Sequence, residues 1–172
     1  MNTQKINNFL IVIFMLKNNK MKKQQKEKTL IIVKPDGVQK KLIGEALKRF
    51  EQAGLDITHL EIKTIKKPTA HKFYGHLKKR LHPKLYNNII EYITSGKVVI
   101  GLVEGENAAA KVRELTGQTN PKKAAKGTIR GDFGTDDGEE LFKQNRAVKN
   151  IVHSSESAHH ARREFKLLRN QK

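Results

Sequence analysis

Thr29-Leu30-Ile31-Ile32-Val33, followed at once by Lys34-Pro35-Asp36-Gly37, sets the frame for the rest of the chain. Four apolar residues in a row, three of them β-branched, suit a strand covered on both faces, and the Pro-Asp-Gly after them halts it. Downstream, Ile43, Ala46, Leu47 and Phe50 recur at the spacing of one helix face, and Gly54 sits where a helix C-terminus favours glycine. Leu60 and Ile62 alternate with Glu61 and Lys63, which predicts a second strand from Leu55 to Ile65, ended by Pro68. Two amphipathic helices are expected next. The first runs from about Thr69, a cap candidate, to Lys79, and the second starts near Pro83 with Leu85, Ile89 and Ile93 on one face. Lys97 to Val103 reads as a third strand, Asn107 to Leu115 as a helix ended at Gly117, and Val148 to Val152 as the last strand. Ala158, Ala161, Phe165 and Leu168 form the buried stripe of the last helix. Elements in this order predict an α/β (α+β) fold: a ferredoxin-like βαββαβ antiparallel sheet with helices packed on one face, plus an inserted helical hairpin and loop.

The composition allows one such domain. The chain has 172 residues, 37% of them hydrophobic, and carries 35 Lys+Arg against 17 Asp+Glu, a formal charge of +18. We expect a folded domain at 28–168, a basic extension at 1–27 and a short tail at 169–172. With no cysteine in the chain, disulfide scaffolds, thiol nucleophiles and cysteine-based zinc sites are excluded. The apolar run from Phe9 to Leu16 is 8 residues long, where a bilayer span needs roughly 20. Lysines rather than a small-residue cleavage site follow it, so Met21 reads as a start and residues 1–20 as an upstream extension, with a weak membrane-surface anchor as the rival reading. The charge is uneven: residues 1–28 hold seven lysines and a single acid, Glu27. Such a field attracts nucleic acid without sequence preference, or is merely a solvated surface.

Chemistry-bearing residues gather at strand ends and in the stretch from Gly117 to Lys149, where glycine, asparagine and proline break any long element. His153 follows the last apolar strand. A lone histidine there is better explained by packing or capping, but Ser155, able to cap the next helix, and Glu164, eleven residues beyond, accompany it. A carboxylate beside an imidazole fixes its tautomer and leaves the other nitrogen free as a nucleophile. The same carboxylate favours imidazolium, which cannot attack, so the pKa must stay below the working pH. Lys34, Arg113 and Arg130 supply cations from three parts of the chain and Thr119 a hydroxyl, the parts that phosphoryl transfer asks for.

Four motifs give these residues a context: Lys-Pro-Asp-Gly-Val-Gln at 34–39, Gly-Gln-Thr-Asn-Pro at 117–121, Gly-Thr-Ile-Arg-Gly-Asp-Phe at 127–133 and Asn-Ile-Val-His-Ser-Ser-Glu-Ser at 150–157. In this order and near this spacing they resemble the nucleoside diphosphate kinase family over about residues 28–168. The resemblance implies that His153 takes the γ-phosphate of a nucleoside triphosphate and passes it to a nucleoside diphosphate through a phosphohistidine. It places Lys34 and Asn150 at the ribose, with Lys34 also near the transferred phosphate, and Tyr74 beside that lysine. Arg113 and Thr119 fall at the β-phosphate, Arg130 at the γ-phosphate, and Ser155 and Glu164 behind the histidine. It further implies Mg2+ held by the nucleotide phosphates rather than by a protein cage, a homo-oligomer and a cytoplasmic location.

The chain departs from the family pattern in several places. About three extra residues between Tyr74 and Ser95 put Leu85, with Tyr86 next to it, where an aromatic usually stacks on the base. About ten extra residues, near 134–143, predict a short helix or flap beside the site. Ser154 stands for the usual glycine and Glu156 for the usual aspartate. The chain ends soon after the last helix, so oligomer size is left open. His71, His76, His82, His159 and His160 read as surface residues, as do Lys66-Lys67 and Lys122-Lys123, although the latter pair lies close enough to a phosphate motif to steer anions. A nucleic-acid module would want aromatics at the strand centres, where Ile31, Val33, Val99 and Ile100 stand instead; contact through the basic N-terminal arm is compatible with enzyme activity. A catalytically dead scaffold is disfavoured by the presence of every expected phosphate contact.

Overall fold

The structure, a computed structural model, describes residues 26–171. Its sheet has four strands, β1 (Lys26–Val33), β2 (Asp56–Thr64), β3 (Lys97–Glu106) and β4 (Val152–Ser154), in the order β2-β3-β1-β4. All neighbours are antiparallel. The helices are α1 (Pro35–Gln39), α2 (Ile43–Gln52), α3 (Lys67–Phe73), α4 (Pro83–Thr94), α5 (Ala108–Thr116), α6 (Ile129–Phe133), α7 (Gly138–Lys143) and α8 (Ala158–Arg169), with short 3-10 turns at Gly75–Leu77 and Pro121–Lys123. This is the ferredoxin-like order expected from the alternation of elements.

The helices cover both faces of the sheet, not one. Leu30, Ile31, Ile32 and Val33 are each fully buried, and successive strand residues point to opposite faces. Leu30 and Ile32, with Val98 and Ile100, pack against Phe73 of α3, Ile90 and Ile93 of α4 and Leu168 of α8. Ile31 and Val33, with Val99 and Val103, pack against Ala46 and Phe50 of α2 and Val112 of α5. Each fully buried side chain of this size contributes about 1.5–3 kcal/mol. The hairpin of α3 and α4 is thus the second cover that the unbroken apolar run of β1 requires. β2 is an edge strand and exposes Leu60 (47%) and Ile62 (60%).

Local boundaries differ from expectation where side chains compete with the backbone pattern. Thr69 does not cap α3. The helix begins earlier, with Lys66 as the extended N-cap and a proline in the first turn, and it stops at Phe73, with a 3-10 turn from Gly75 instead of a continuation to Lys79. β4 begins at Val152 rather than Val148 because the preceding backbone is claimed by carboxylates: Lys149 N–H donates to Asp136 Oδ2 (2.8 Å) and Ile151 N–H to Asp36 Oδ2 (3.0 Å). Ser157, not Ser155, caps α8, accepting from His160 N–H, while Ser155 is fully buried and turned to Glu164. β1 begins at Lys26, ahead of the expected domain start, so the last two residues of the expected extension at 1–27 belong to the sheet; residues 1–25 lie outside the described residues. In the expected tail, Gln171 accepts from Lys66 N–H and donates to Thr64 O.

Candidate active site

The site is assembled where the end of β1 meets the segment entering β4. Lys34 N–H donates to Ile151 O (2.8 Å), and the Asp36 carboxylate, buried in the first turn of α1, accepts from Ile151 N–H and from the Tyr92 hydroxyl. Ile151 is held at φ +68°, which a β-branched residue adopts only when its surroundings force it. Gly37 makes the approach feasible, since a Cβ there would stand 2.8 Å from Ile151 O and from Val33 Cγ1. Both peptide groups of Ile151 are therefore anchored to the Lys34-Pro35-Asp36-Gly37 turn, and His153, two residues on, pairs with Ile32 in the β1–β4 ladder.

His153 Nε2 lies 3.1 Å from Glu164 Oε2, and Ser155 Oγ donates to the same oxygen at 2.5 Å. Glu164 is 5% exposed, so its charge has little water to spread into. Burial alone would raise the Glu164 pKa, but the hydrogen bonds from His153 and Ser155 together outweigh it and hold the carboxyl below its usual value. An ionised Glu164 requires the proton on Nε2, which leaves the Nδ1 lone pair available; Nδ1 has no hydrogen-bond partner among the described residues. The Phe73 ring fixes the imidazole from the side, with centroids 5.2 Å apart at 69°. Burial lowers the His153 pKa, Glu164 opposes this, and Lys34 and Arg130 reinforce it, so the net shift is downward. The imidazole is therefore a neutral, oriented base.

Around it stand the cations. Arg130, on α6 and 8% exposed, donates to Gly117 O (2.7 Å), Val152 O (2.8 Å) and, through Nε, to Asn150 O (3.4 Å). Gly117 is at φ +82°, and a Cβ there would sit 2.4 Å from Thr128 Oγ1, so only glycine presents that carbonyl to Arg130. Burial, together with Arg113, lowers the Arg130 pKa to about 10. Arg49 ties the loop before α6 to α2, with an ion pair to Asp132 (2.8 Å) and a hydrogen bond to Gly127 O (3.1 Å). Lys34 Nζ donates to Asn150 Oδ1 (2.7 Å), and Asn150 Nδ2 donates to Thr119 O (2.8 Å), a chain linking three of the four motifs. Burial and the Arg130 charge bring the Lys34 pKa to about 7, against the pull of Asp36. Burial, then Glu164, pushes the Tyr74 phenol well above its ordinary value, so it remains a neutral donor.

A cavity of about 700 Å³ opens onto this arrangement, lined by Lys34, Tyr74, Arg113, Thr119, Arg130, Asn150, His153 and Glu164 among others. Basic side chains gathered around one unprotonated imidazole can receive a polyphosphate. The sequence model of the family described as nucleoside diphosphate kinase matches residues 27–172. The chain belongs to the nucleoside diphosphate kinase family. It is 43% identical over 141 residues to the nucleoside diphosphate kinase of Archaeoglobus fulgidus, covering 82% of this chain and 85% of that one. It is 44% identical over 138 residues to nucleoside diphosphate kinase 1 of Protochlamydia amoebophila, covering 80% and 89%. Its structure is similar to that of the nucleoside diphosphate kinase of Borrelia burgdorferi with bound vanadate and ADP, a transition-state mimic, with a TM-score of 0.77, 35% identity and coverage of 83% and 86%.

Eight of the ten site residues expected of a nucleoside diphosphate kinase line the one cavity. Ser155 lies behind it and acts on His153 only through Glu164. Leu85 is buried in an adjoining apolar groove and does not line the polar cavity. His160 and Glu164, although spaced i, i+4 on α8, are engaged separately, Glu164 by His153 and Ser155 and His160 Nδ1 at 3.0 Å from Ser157 Oγ. Asp36 and Tyr92 were not among the expected residues. Asp36 stands inside the first motif, but its role depends on meeting Ile151, 115 positions away, and Tyr92 carries no sequence signal at all. Lys122 and Lys123 stay exposed and pair with Asp137 and Glu139 at the start of α7.

Proposed function

We propose that this nucleoside diphosphate kinase works through His153 Nδ1, with the residues lining the cavity in the following roles. The neutral Nδ1 attacks the γ-phosphorus of a nucleoside triphosphate, a P–N bond forms as the bond to the β–γ bridging oxygen breaks, and the diphosphate leaves with that bond's electron pair. Attack places positive charge on the imidazole, which Glu164, already holding the Nε2 proton, stabilises without moving it. The two Arg130 donors not spent on carbonyls, together with the Lys34 ammonium, face the γ-oxygens. Arg113 and the Thr119 hydroxyl take the charge that develops on the leaving β-phosphate. A second nucleoside diphosphate reverses the sequence, attacking phosphorus with a β-phosphate oxygen and returning His153 to its neutral state. Lys34 and Asn150, joined at 2.7 Å, offer donors at the ribose.

Mg2+ belongs to this reading as a passenger of the nucleotide. The groups facing the cavity beside His153, namely Lys34, Arg113, Arg130, Thr119 and Asn150, suit phosphate oxygens rather than a metal, and Glu164 is fully engaged. Bound through the phosphates, the ion neutralises their oxygens and holds them in register. A homo-oligomer is part of the same proposal, supported by the apolar edge that β2 leaves uncovered at Leu60 and Ile62; sedimentation of the pure protein tests it. A cytoplasmic location, where nucleotides are made and used, completes the reading, and cell fractionation tests it. Among the described residues, no helix is long and apolar enough to cross a membrane.

The observation that carries the assignment is the His153 to Glu164 contact, which frees Nδ1 inside a ring of cations. Incubation with Mg·ATP should add one phosphate to the intact mass, mapping to His153 and lost as GDP becomes GTP. A folded protein that forms GTP with no phosphate on His153 would overturn the assignment.

A further inference from the structure

Adjoining the phosphate cavity is a smaller apolar groove of about 190 Å³ between α4 and the segment 142–148. Leu81, Leu85 and Ile89 line one side, and Phe142, Ala147 and Val148 line the other. Lys34, Tyr74, Thr119 and Asn150 border both spaces. Lys34 and Asn150 are the residues at which the proposed reading puts the ribose. With phosphates at His153 and Arg130 and the sugar at Lys34 and Asn150, the next group of a nucleotide passes over this shared border into the groove.

Phe142 is the anomaly that gives the groove its purpose. It is 58% exposed, on a short helix tied to its neighbours by polar contacts. Asp137 caps α7, Gly138 N–H donates to Asn120 Oδ1 (2.8 Å), and Asn88 of α4 donates to Asn145 O just beyond the helix (3.0 Å). The last bond braces the two walls against each other. An aromatic side chain is thus left in solvent beside an apolar slot. On the opposite wall stands Leu85, which offers apolar surface but no ring.

We propose that Phe142, from the inserted α7, is the aromatic residue that stacks on a nucleobase held in this groove, opposite Leu85. The inference rests on the nucleotide reading above and assigns the base contact to a helix that the commoner family spacing lacks. Base-to-aromatic stacking is worth about 1–3 kcal/mol per base, or roughly 5- to 150-fold in affinity. A purine offers more ring area than a pyrimidine, so Phe142 favours purine over pyrimidine diphosphates.

The chain contains no tryptophan, so Phe142→Trp places a single, selectively excitable indole on the groove. Its emission should be quenched by Mg·ADP and left unchanged by Mg·pyrophosphate, which fills only the phosphate cavity. Phe142→Ala should raise KM for GDP at least fivefold and raise it less for CDP. Because Phe142 is mostly exposed, its removal costs the fold little, and an unchanged thermal midpoint verifies that. Equal KM values for wild type and Phe142→Ala, with the indole emission of the Phe142→Trp variant indifferent to ADP, would overturn the proposal. Absence of phosphate on His153 in the wild type would instead refute the underlying reading, while ADP quenching would still report on the base.

Discussion

Lys34 is the residue whose protonation most directly reports phosphate binding. In the empty site, burial and Arg130 bring its pKa to about 7. A bound polyphosphate supplies the missing counter-charge and returns the ammonium towards its ordinary value of about 10.5. At pH 8 the free side chain is about one-tenth protonated, so binding Mg·ADP should take up about 0.9 proton; at pH 6 the uptake should fall to about 0.1. A full return of about 3.5 units corresponds to about 5 kcal/mol of coupling between the lysine proton and the phosphates. The apparent Kd should weaken about fivefold between pH 7 and pH 8, and about tenfold more by pH 9. Calorimetric titration at one pH in two buffers of different ionisation enthalpy reads the proton count, and Lys34→Met should abolish the buffer dependence. In the empty site the His153 pKa lies below its ordinary value, so the imidazole starts neutral at pH 8. Stability shows the same linkage with its own sign. The folded, empty protein binds fewer protons than the unfolded chain between about pH 7 and about pH 10.5, so this contribution is full above about 10.5 and is lost as pH falls towards about 7. Buffer-independent heats at pH 8, in a protein that binds ADP, would refute the argument.

Four further outcomes follow from the same geometry. His153→Ala should abolish phosphate transfer in a protein that still folds, as read by intact mass and by GTP formation from GDP. Arg130→Ala should lower kcat by about a hundredfold or more, as for loss of one charge-stabilising donor, and should also lower the thermal midpoint because the carbonyls of Gly117 and Val152 lose their donor. Glu164→Gln should cut kcat about tenfold by weakening a charge-assisted bond and should move the acid limb of the pH profile downward, since Glu164 raises the His153 pKa. Asp36→Asn sets an amide N–H against either Ile151 N–H or the Tyr92 hydroxyl; at about 1–3 kcal/mol for an unsatisfied buried donor, chemical denaturation should show that loss together with a lower kcat.

Which parts of this molecule are readable from its sequence follows from the range of the forces involved. Apolar periodicity is local, so β1, α2, α4, β3 and α8 stand close to where their patterns put them. It does not say how many faces of a sheet are covered unless the run is unbroken, and the unbroken Leu30 to Val33 run does require the second helical layer. Where polar side chains outcompete the ladder, the pattern misleads. Val148 to Val152 looks like a strand, yet Asp136 and Asp36 capture the N–H groups of Lys149 and Ile151 and delay β4 to Val152. Ser155 and Ser157 are equivalent as capping candidates until Glu164 takes the first.

The site divides along the same line. The candidate phosphate contacts sit in compact motifs that resemble the family pattern, and the fold brings these together in one cavity. Groups that hold those motifs in place come from remote parts of the chain and have no such signature. Tyr92 reaches Asp36 across 56 positions, and Asp36 reaches Ile151 across 115. The base contact belongs to the second kind. Motif register leads to Leu85, because it follows the chain through α4, whereas a planar ring needs an aromatic face, and the exposed aromatic at that groove arrives on α7 from 57 residues further on. A helix added beside an active site can thus supply a contact that a lengthened hairpin has lost, because stacking depends on where a ring stands and not on which element carries it.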